Sequence, residues 1–215
     1  MNCCCATAGT NEFFNTQARR LEKYFRKKGL RPEQKLLMAG IQLSGVQRAS
    51  LLEIGCGVGG LHLSLLKTGA GRATGFDLSE KMIQTARMLA HELGYAERTQ
   101  YWQGDFVEMH ESAETAEVTI LDKVICCYGN FLELVELSAA KTSRIYAVSY
   151  PRRHWGARLF FRAAIVSLKL LRQSFHPYYH PPEAVQAAIQ QQGFSKIFER
   201  NTFIWTVQIF QRDQA

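Results

Sequence analysis

Three glycines at alternating positions and one carboxylate are the residues of this chain best suited to hold a ligand. The run LLEIGCGVGG contains Gly55, Gly57 and Gly59 directly after a short apolar stretch. Glycines at this spacing let the backbone turn sharply and leave room for a ligand to lie against it. Further along, a second short apolar stretch ends in Asp77, whose carboxylate can accept hydrogen bonds from two ribose hydroxyls. The pattern predicts a site for a ribose-containing cofactor.

The same run has other interpretations. Gly55, Gly57 and Gly60 also satisfy G-x-G-x-x-G, the fingerprint of dinucleotide-binding enzymes, which on its own is weak evidence. Glu53 stands two residues before the first glycine, where nicotinamide enzymes usually carry an apolar residue. A nicotinamide- or flavin-dependent reductase therefore stays open as an alternative. So does a strand-to-helix turn that holds no ligand.

The spacing of apolar residues indicates how these groups are positioned. Strand and helix patterns alternate from Leu51 onward, which is typical of a parallel sheet with crossover helices. The predicted strands are 51–54, a segment ending at Asp77, 99–103, 118–125, 144–149, and two within 195–210 that pair antiparallel. The acidic run 108–117 is interpreted as a solvated loop.

A helical segment precedes the alternating pattern. Phe14, Ala18, Leu21 and Phe25 recur at helical spacing, and Gly29 ends that helix. We therefore predict an α/β fold: a doubly wound, mostly parallel seven-stranded sheet with a C-terminal antiparallel strand pair. This domain would cover residues 49–215 and follow an N-terminal helical cap over residues 1–48.

Several segments resemble class I S-adenosylmethionine-dependent methyltransferases, and among them the magnesium-protoporphyrin O-methyltransferase-like group of bacterial enzymes. The similar segments are Phe14-Asn15 with Tyr24, the loop Gly55–Gly59, Ser149-Tyr150-Pro151, and Tyr178-Tyr179-His180. The chain departs from that group after the fourth strand, where Cys126-Cys127-Tyr128-Gly129 replaces a His-Tyr-Pro run, and again at 151–155. These departures would face the acceptor.

The resemblance implies a Rossmann-like methyltransferase fold and a set of site residues. The cofactor, S-adenosyl-L-methionine, would contact Tyr24, Glu53, Gly55, Cys56, Gly57, Gly59, Asp77, Leu78, Asp105, Phe106, Leu121 and Asp122. The acceptor would lie against Cys126, Tyr128, Arg152 and His180, with His180 and Tyr128 as candidate catalytic groups. A non-catalytic protein that binds the same cofactor is a further alternative. His62, His91 and His110 are interpreted as incidental.

The six cysteines show no spacing typical of a disulfide framework, which favours a reducing cytoplasm. Cys126 and Cys127, together with Cys3, Cys4 and Cys5, could bind a soft metal or arsenite, since thiolates prefer such ions. The other interpretation is small apolar packing. We predict no metal site.

The net charge of +7 lies mainly in two basic clusters, 19–31 and 152–172. Neither cluster has interleaved aromatics arranged for base stacking, so nucleic acid is not expected as a partner. In Arg158 to Arg172, basic residues share one helical face and apolar residues fill the rest. That segment is interpreted either as a lid helix or as a peripheral membrane contact. Without an apolar stretch long enough to span a bilayer or a secretory signal in 1–10, a cytoplasmic enzyme acting on an acidic or apolar small molecule is expected.

Overall fold

The computed structural model describes residues 4–170, 175 and 177–213. Its centre is a seven-stranded sheet in the order β3-β2-β1-β4-β5-β7-β6. β7 runs antiparallel to both of its neighbours, whereas the remaining neighbours pair in parallel, as predicted. The strands are β1 Ser50–Ile54, β2 Arg72–Asp77, β3 Thr99–Gln103, β4 Ala116–Asp122, β5 Thr142–Pro151, β6 Phe194–Asn201 and β7 Trp205–Arg212.

Helices cover both faces of this sheet. They are α1 Cys4–Lys28, α2 Pro32–Leu43, α3 Gly60–Lys67, α4 Glu80–Glu92, α5 Phe106–Met109, α6 Phe131–Ala140, α7 Trp155–Leu170 and α8 Pro182–Gln191. Successive side chains of a strand point to opposite faces. Leu51 of β1 therefore joins the apolar layer formed with α2, α3 and α4, and Leu52 joins the layer formed with α5, α6 and α8.

The register of the central strands brings their carboxyl ends to one edge. Ile54 of β1 lies opposite Phe76 of β2 and Leu121 of β4. The residues that follow these strands are consequently neighbours in space, although they are far apart in the chain. In an open parallel sheet this edge is where ligands bind.

Three predicted boundaries were wrong. β4 ends at Asp122 and not at residue 125, because Lys123 has a left-handed backbone (φ 63°) that an extended strand does not accommodate. The acidic run is only partly a loop, since its first residues end α5 and its last begin β4. β5 extends to Pro151, because its pairing with β7 continues to Trp205.

The two N-terminal helices have different surroundings. Leu37 and Ile41 of α2 are fully buried, and Gly40 lies so close to Ile209 and Phe198 that a Cβ there would approach them to 2.6 and 2.8 Å. α2 is thus part of the layer that covers the sheet. α1 instead reaches the ligand-binding edge. No described helix is both long enough and apolar enough to cross a membrane.

Candidate functional site

The glycine loop joins β1 to α3 through three residues with left-handed backbones. Gly55, Gly57 and Gly59 have φ values of 65°, 54° and 80°. Residues with a Cβ avoid this region because the Cβ crowds the following carbonyl. A Cβ on Gly55 would also collide with the side chain of Val124. A Cβ on Gly57 would meet nothing within 4 Å, so this backbone is open for a ligand to approach.

Asp77 connects this loop to the start of α4. Its Oδ2 accepts a hydrogen bond of 2.8 Å from the backbone N–H of Gly57, and its Oδ1 accepts one of 2.8 Å from that of Ser79. Burial raises the pKa of Asp77 to about 6, although both hydrogen bonds oppose this shift. Each carboxylate oxygen has a further lone pair for a ligand hydroxyl.

Both features face one cavity of about 600 Å³, which is within the size range of small-molecule sites. Eleven of the residues predicted for the site line it: Tyr24, Glu53, Gly55, Cys56, Gly57, Asp77, Leu78, Phe106, Asp122, Cys126 and Tyr128. The structure therefore brings the glycine loop and the residues at and after the end of β4 to the same cavity.

Five predicted residues do not line the cavity. Leu121 is fully buried in the apolar layer with α6, because it points to the opposite face of β4 from its neighbours. Gly59, Asp105 and His180 lie outside the lining. Arg152 lines a separate polar groove with residues of α8 and β6, so the structure places it away from the expected acceptor position.

Behind the glycine loop, Glu53 is the first member of a buried hydrogen-bonded chain. Its Oε2 lies 2.6 Å from Nδ1 of His62, and Nε2 of His62 lies 2.7 Å from the hydroxyl of Tyr101. Glu53 is 2% exposed and His62 is fully buried. Burial raises the pKa of Glu53, and the hydrogen bond from His62 opposes that shift.

The sequence-based interpretation of His62 as incidental is therefore wrong. It belongs to α3, and its two ring nitrogens contact Glu53 and Tyr101. An acid at the end of β1 and a histidine in the first turn of the next helix are the sequence signal for this contact. Helical and strand periodicities place the two on facing surfaces.

Gly59→Ala is predicted to destabilise the protein more than Gly94→Ala. Both glycines have left-handed backbones, with φ of 80° and 76°, but a Cβ on Gly94 meets nothing within 4 Å. A Cβ on Gly59 would lie 2.9 Å from Nε2 of His62, which Glu53 and Tyr101 hold in place. Urea unfolding should show a loss of about 1–2 kcal/mol for Gly94→Ala and clearly more for Gly59→Ala. Equal losses would show that the histidine ring yields easily.

Tyr128 and His180 occur together next to the cavity. The Tyr128 hydroxyl donates a hydrogen bond to Oδ1 of Asp105 at 2.5 Å. Burial and the neighbouring carboxylate raise the pKa of Tyr128, so the phenol stays protonated. Nε2 of His180 lies 2.7 Å from the carbonyl oxygen of Tyr128 and must donate there, because a carbonyl only accepts. His180 therefore holds the backbone of Tyr128 rather than facing the cavity.

A charged cluster at the exit of β4 was not predicted. The Lys123 ammonium lies 2.6 Å from Oε1 of Glu33 and 3.4 Å from Oδ2 of Asp122. Gln34 donates a hydrogen bond of 3.0 Å to the same Asp122 oxygen. α2 is thereby connected to the cavity wall. Sequence patterns do not reveal this contact, since it depends on the left-handed backbone of Lys123.

The thiols of Cys126 and Cys127 converge on one acceptor. Both donate to the carbonyl oxygen of Lys123, at 3.2 and 3.5 Å. Contact with Cys126 and burial raise the pKa of Cys127. Within the part of the chain that the structure describes, no group of three or more His, Cys, Asp or Glu side chains could hold a metal ion. The side chains of 3–5 lie outside that part, so their contribution stays a prediction.

Comparison with known proteins agrees with this geometry. Residues 51–145, from β1 into β5, match the family model of a methyltransferase domain. The magnesium protoporphyrin IX methyltransferase of Synechocystis PCC 6803, solved with bound S-adenosylhomocysteine, superposes with a TM-score of 0.75 over 95% of this chain and 98% of that one. Residues 51–145 are thus similar to a methyltransferase domain, and the whole chain has the fold of that methyltransferase. The sequence identity to that structure is 19%, so the likeness concerns the fold.

Curated relatives of the methyltransferase domain differ in their named substrates. The ribosomal protein L11 methyltransferase of Yersinia pseudotuberculosis is 30% identical over 93 residues, which are 43% of this chain and 32% of that protein. A sterol 24-C-methyltransferase of Gibberella zeae is 32% identical over 59 residues, which are 27% of this chain and 16% of that protein. The chain thus spans about a third of the length of the L11 enzyme and 16% of the length of the sterol enzyme.

Proposed function

We propose that this protein transfers a methyl group from S-adenosylmethionine to a small apolar or aromatic molecule. The observation that carries the proposal is the hydrogen bond between the Gly57 backbone and Asp77 in the wall of the cavity. A glycine backbone without nearby side chains and a carboxylate with spare lone pairs suit the ribose and methionine portions of this cofactor. The family match of residues 51–145 supports the same chemistry.

Each cavity residue has a role in this proposal. Asp77 would accept hydrogen bonds from the ribose hydroxyls, and Leu78 and Phe106 would pack against the adenine. Glu53, whose Oε2 is held by His62, would present its other oxygen to the methionine end. When bound, the cofactor supplies an electrophilic methyl group on a sulfonium. The protein's contribution is to align the acceptor with that methyl group and to exclude water.

Aromatic side chains in the cavity wall support an apolar or aromatic acceptor. Phe13 and Phe14 of α1 both contact Phe175, with ring centroids 4.9 and 5.4 Å apart. Trp205 also lines the cavity, and the Lys123 ammonium lies 5.7 Å from its ring centroid. Aromatic walls of this kind bury planar or apolar molecules and fix them through a few polar groups. Because α1 covers the cavity, a small molecule fits this site better than a folded protein.

No general base is required of the described cavity residues. Tyr128 is held protonated by burial and by Asp105, and Nε2 of His180 is engaged by the Tyr128 carbonyl. An acceptor that is already nucleophilic needs only alignment with the methyl group. The two residues therefore act as positioning groups in this proposal.

Isothermal titration calorimetry with S-adenosylhomocysteine, and NADH in parallel, tests the cofactor part. Saturable one-to-one binding of S-adenosylhomocysteine alone supports the proposal, whereas binding of NADH alone supports the reductase alternative. Incubation of a cell extract with methyl-labelled S-adenosylmethionine then tests the acceptor part. Label in the small-molecule fraction supports the proposed acceptor, and label in protein contradicts it. Binding without transfer to either fraction supports a non-catalytic protein.

Cofactor affinity is predicted to fall as the pH falls through about 6. Burial raises the pKa of Asp77 to about 6, and the ribose hydroxyls need the ionised carboxylate as their acceptor. Because binding then favours the deprotonated form, Kd for S-adenosylhomocysteine should be constant above pH 7 and rise by up to about tenfold per unit below pH 6. The raised pKa also makes the ligand-free protein lose stability as the pH rises from about 4 to 6.

Calorimetric titrations between pH 5 and 8 measure this dependence. Asp77→Asn keeps the shape of the side chain and one acceptor oxygen but does not titrate. The variant should therefore bind with a Kd that changes much less over the same pH range. A similar pH dependence in both proteins would assign the titration to another group.

A further inference from the structure

Helix α7 has an apolar stripe that is exposed to solvent. Trp155, Leu159, Val166 and Leu170 are 73%, 61%, 56% and 79% exposed. Their spacing of four, seven and four residues places them along one side of a helix. Four large apolar side chains on one exposed helix face are uncommon on a monomeric protein, and such patches mark interaction sites.

A second segment extends this patch. Phe203, in the turn between β6 and β7, is 67% exposed. Its ring centroid lies 5.7 Å from that of His154, just before α7 begins, and a Cβ on Gly156 would lie 3.1 Å from the Phe203 ring. The exposed apolar surface therefore includes two parts of the chain that are distant in sequence.

The same helix forms part of the cavity wall. Ser167 and Leu168 of α7 line the cavity, as do Phe175 and Pro177 after it. Val166 and Leu170, next to these lining residues in the helix, are exposed to solvent. α7 thus separates the expected acceptor end of the cavity from the outer apolar stripe.

The charge of this region indicates which kind of surface would cover the stripe. Helix α7 contains no Asp or Glu and three basic residues, Arg158, Arg162 and Lys169. The described side chain of Arg162 is exposed. Apolar side chains combined with Lys and Arg, with no acid in the same helix, are typical of helices that lie in the interface of an anionic bilayer.

We infer that the outer face of α7 docks on an anionic lipid bilayer. The stripe would enter the boundary between headgroups and acyl chains, and the basic residues would contact the lipid phosphates. The docking does not depend on the proposed function. One consequence of the docking does rest on the proposed function. An apolar acceptor dissolved in the bilayer would reach the cavity past α7 without crossing water.

Vesicle co-sedimentation of the full chain tests this inference. The wild-type protein should sediment with phosphatidylglycerol–phosphatidylcholine vesicles but only weakly with phosphatidylcholine vesicles. Added salt should weaken the binding, since it screens charges at the surface. Trp155 is the tryptophan with a largely exposed side chain among the described residues, so its emission should shift to the blue with anionic vesicles.

The double variant Leu159→Glu/Leu170→Glu removes the stripe and places acids beside it. We expect its partition coefficient to anionic vesicles to be at least about tenfold lower. Leu43→Glu is the matched control, because Leu43 is 79% exposed at the end of α2 and lies outside the stripe. It should sediment like the wild type. Equal sedimentation of wild type and double variant, or equal binding to both vesicle types, would overturn the inference.

Two further measurements separate the other occupants and the two proposals. If the wild type does not sediment but is a dimer that the double variant makes monomeric, a second copy covers the stripe and the inference is wrong. Calorimetry with S-adenosylhomocysteine, without vesicles, should give the same Kd for wild type and double variant. If the wild type did not bind S-adenosylhomocysteine, the proposed function would be contradicted, but the vesicle result would still stand.

Discussion

Replacing Asp77 by alanine is expected to weaken the binding of S-adenosylhomocysteine by about 1.5–3 kcal/mol, or roughly 10- to 150-fold in Kd. The carboxylate is the acceptor proposed for both ribose hydroxyls, and hydrogen bonds to a charged group contribute this much. The variant also loses the contacts from the Gly57 and Ser79 backbone N–H groups, at 2.8 Å each. Calorimetric titration at pH 7.5, above the raised pKa of Asp77, measures the change.

Asp77→Asn separates the two effects. An asparagine retains an oxygen that can accept from one backbone N–H group but offers the ribose a weaker, neutral acceptor. Its Kd should lie between those of the wild type and the alanine variant. Thermal unfolding without ligand shows whether the loop itself has been lost. An unchanged Kd for a folded Asp77→Ala protein would remove the ribose assignment.

Replacing His62 by leucine is expected to cost about 3–5 kcal/mol of the free energy of unfolding. The change removes the donor at 2.6 Å from the Glu53 carboxylate, which is only 2% exposed and keeps just the backbone N–H of residue 62 at 3.3 Å. It also leaves the Tyr101 hydroxyl without its partner at 2.7 Å. A buried carboxylate that keeps only one long hydrogen bond favours its protonated form. The pKa of Glu53, already raised by burial, should therefore rise further in the variant.

The pH dependence of this loss tests the cause. A group with a raised pKa in the folded state contributes stability at low pH that is lost as the pH rises through that pKa. Urea unfolding should show a smaller difference between His62→Leu and wild type at pH 5 than at pH 8. His91→Leu, at an exposed position of α4, is the control and should change stability by less than about 0.5 kcal/mol.

Tyr101→Phe provides an intermediate step in the same chain of contacts. It removes the hydroxyl next to Nε2 of His62 but leaves the contact between His62 and Glu53 intact. A loss of about 1 kcal/mol is expected. If His62→Leu cost no more than this, the buried carboxylate would have found another donor, and the structural role assigned to His62 would be wrong.

The positions of the glycine loop and Asp77 were predictable because they depend on backbone geometry and apolar spacing over a few residues. The left-handed backbone of the loop favours glycine, so Gly55 and Gly57 indicate the turn independently of the rest of the fold. Asp77 ends an apolar strand, and the carboxyl ends of parallel strands share one edge of a sheet. These rules place the glycine loop and Asp77 at the same edge of the sheet, whereas the hydrogen bond from Gly57 to Asp77 is shown by the structure.

The rest of the cavity wall was less predictable, because it consists of contacts between residues far apart in sequence. Lys123 meets Glu33 of α2, and Phe175 meets Phe13 of α1. No periodicity connects these pairs. Arg152 was predicted to contact the acceptor, but the structure places its side chain in a separate groove.

The sequence by itself determined the order of strands and helices, the glycine turn and the carboxylate opposite it, since backbone geometry and apolar spacing act over a few residues. Only the tertiary structure decided which side chains meet across the cavity. It also decided that His62 supports Glu53 and that α7 exposes its apolar stripe. The physical reason is that burial, pairing and exposure depend on the packing of distant elements, which no local pattern specifies.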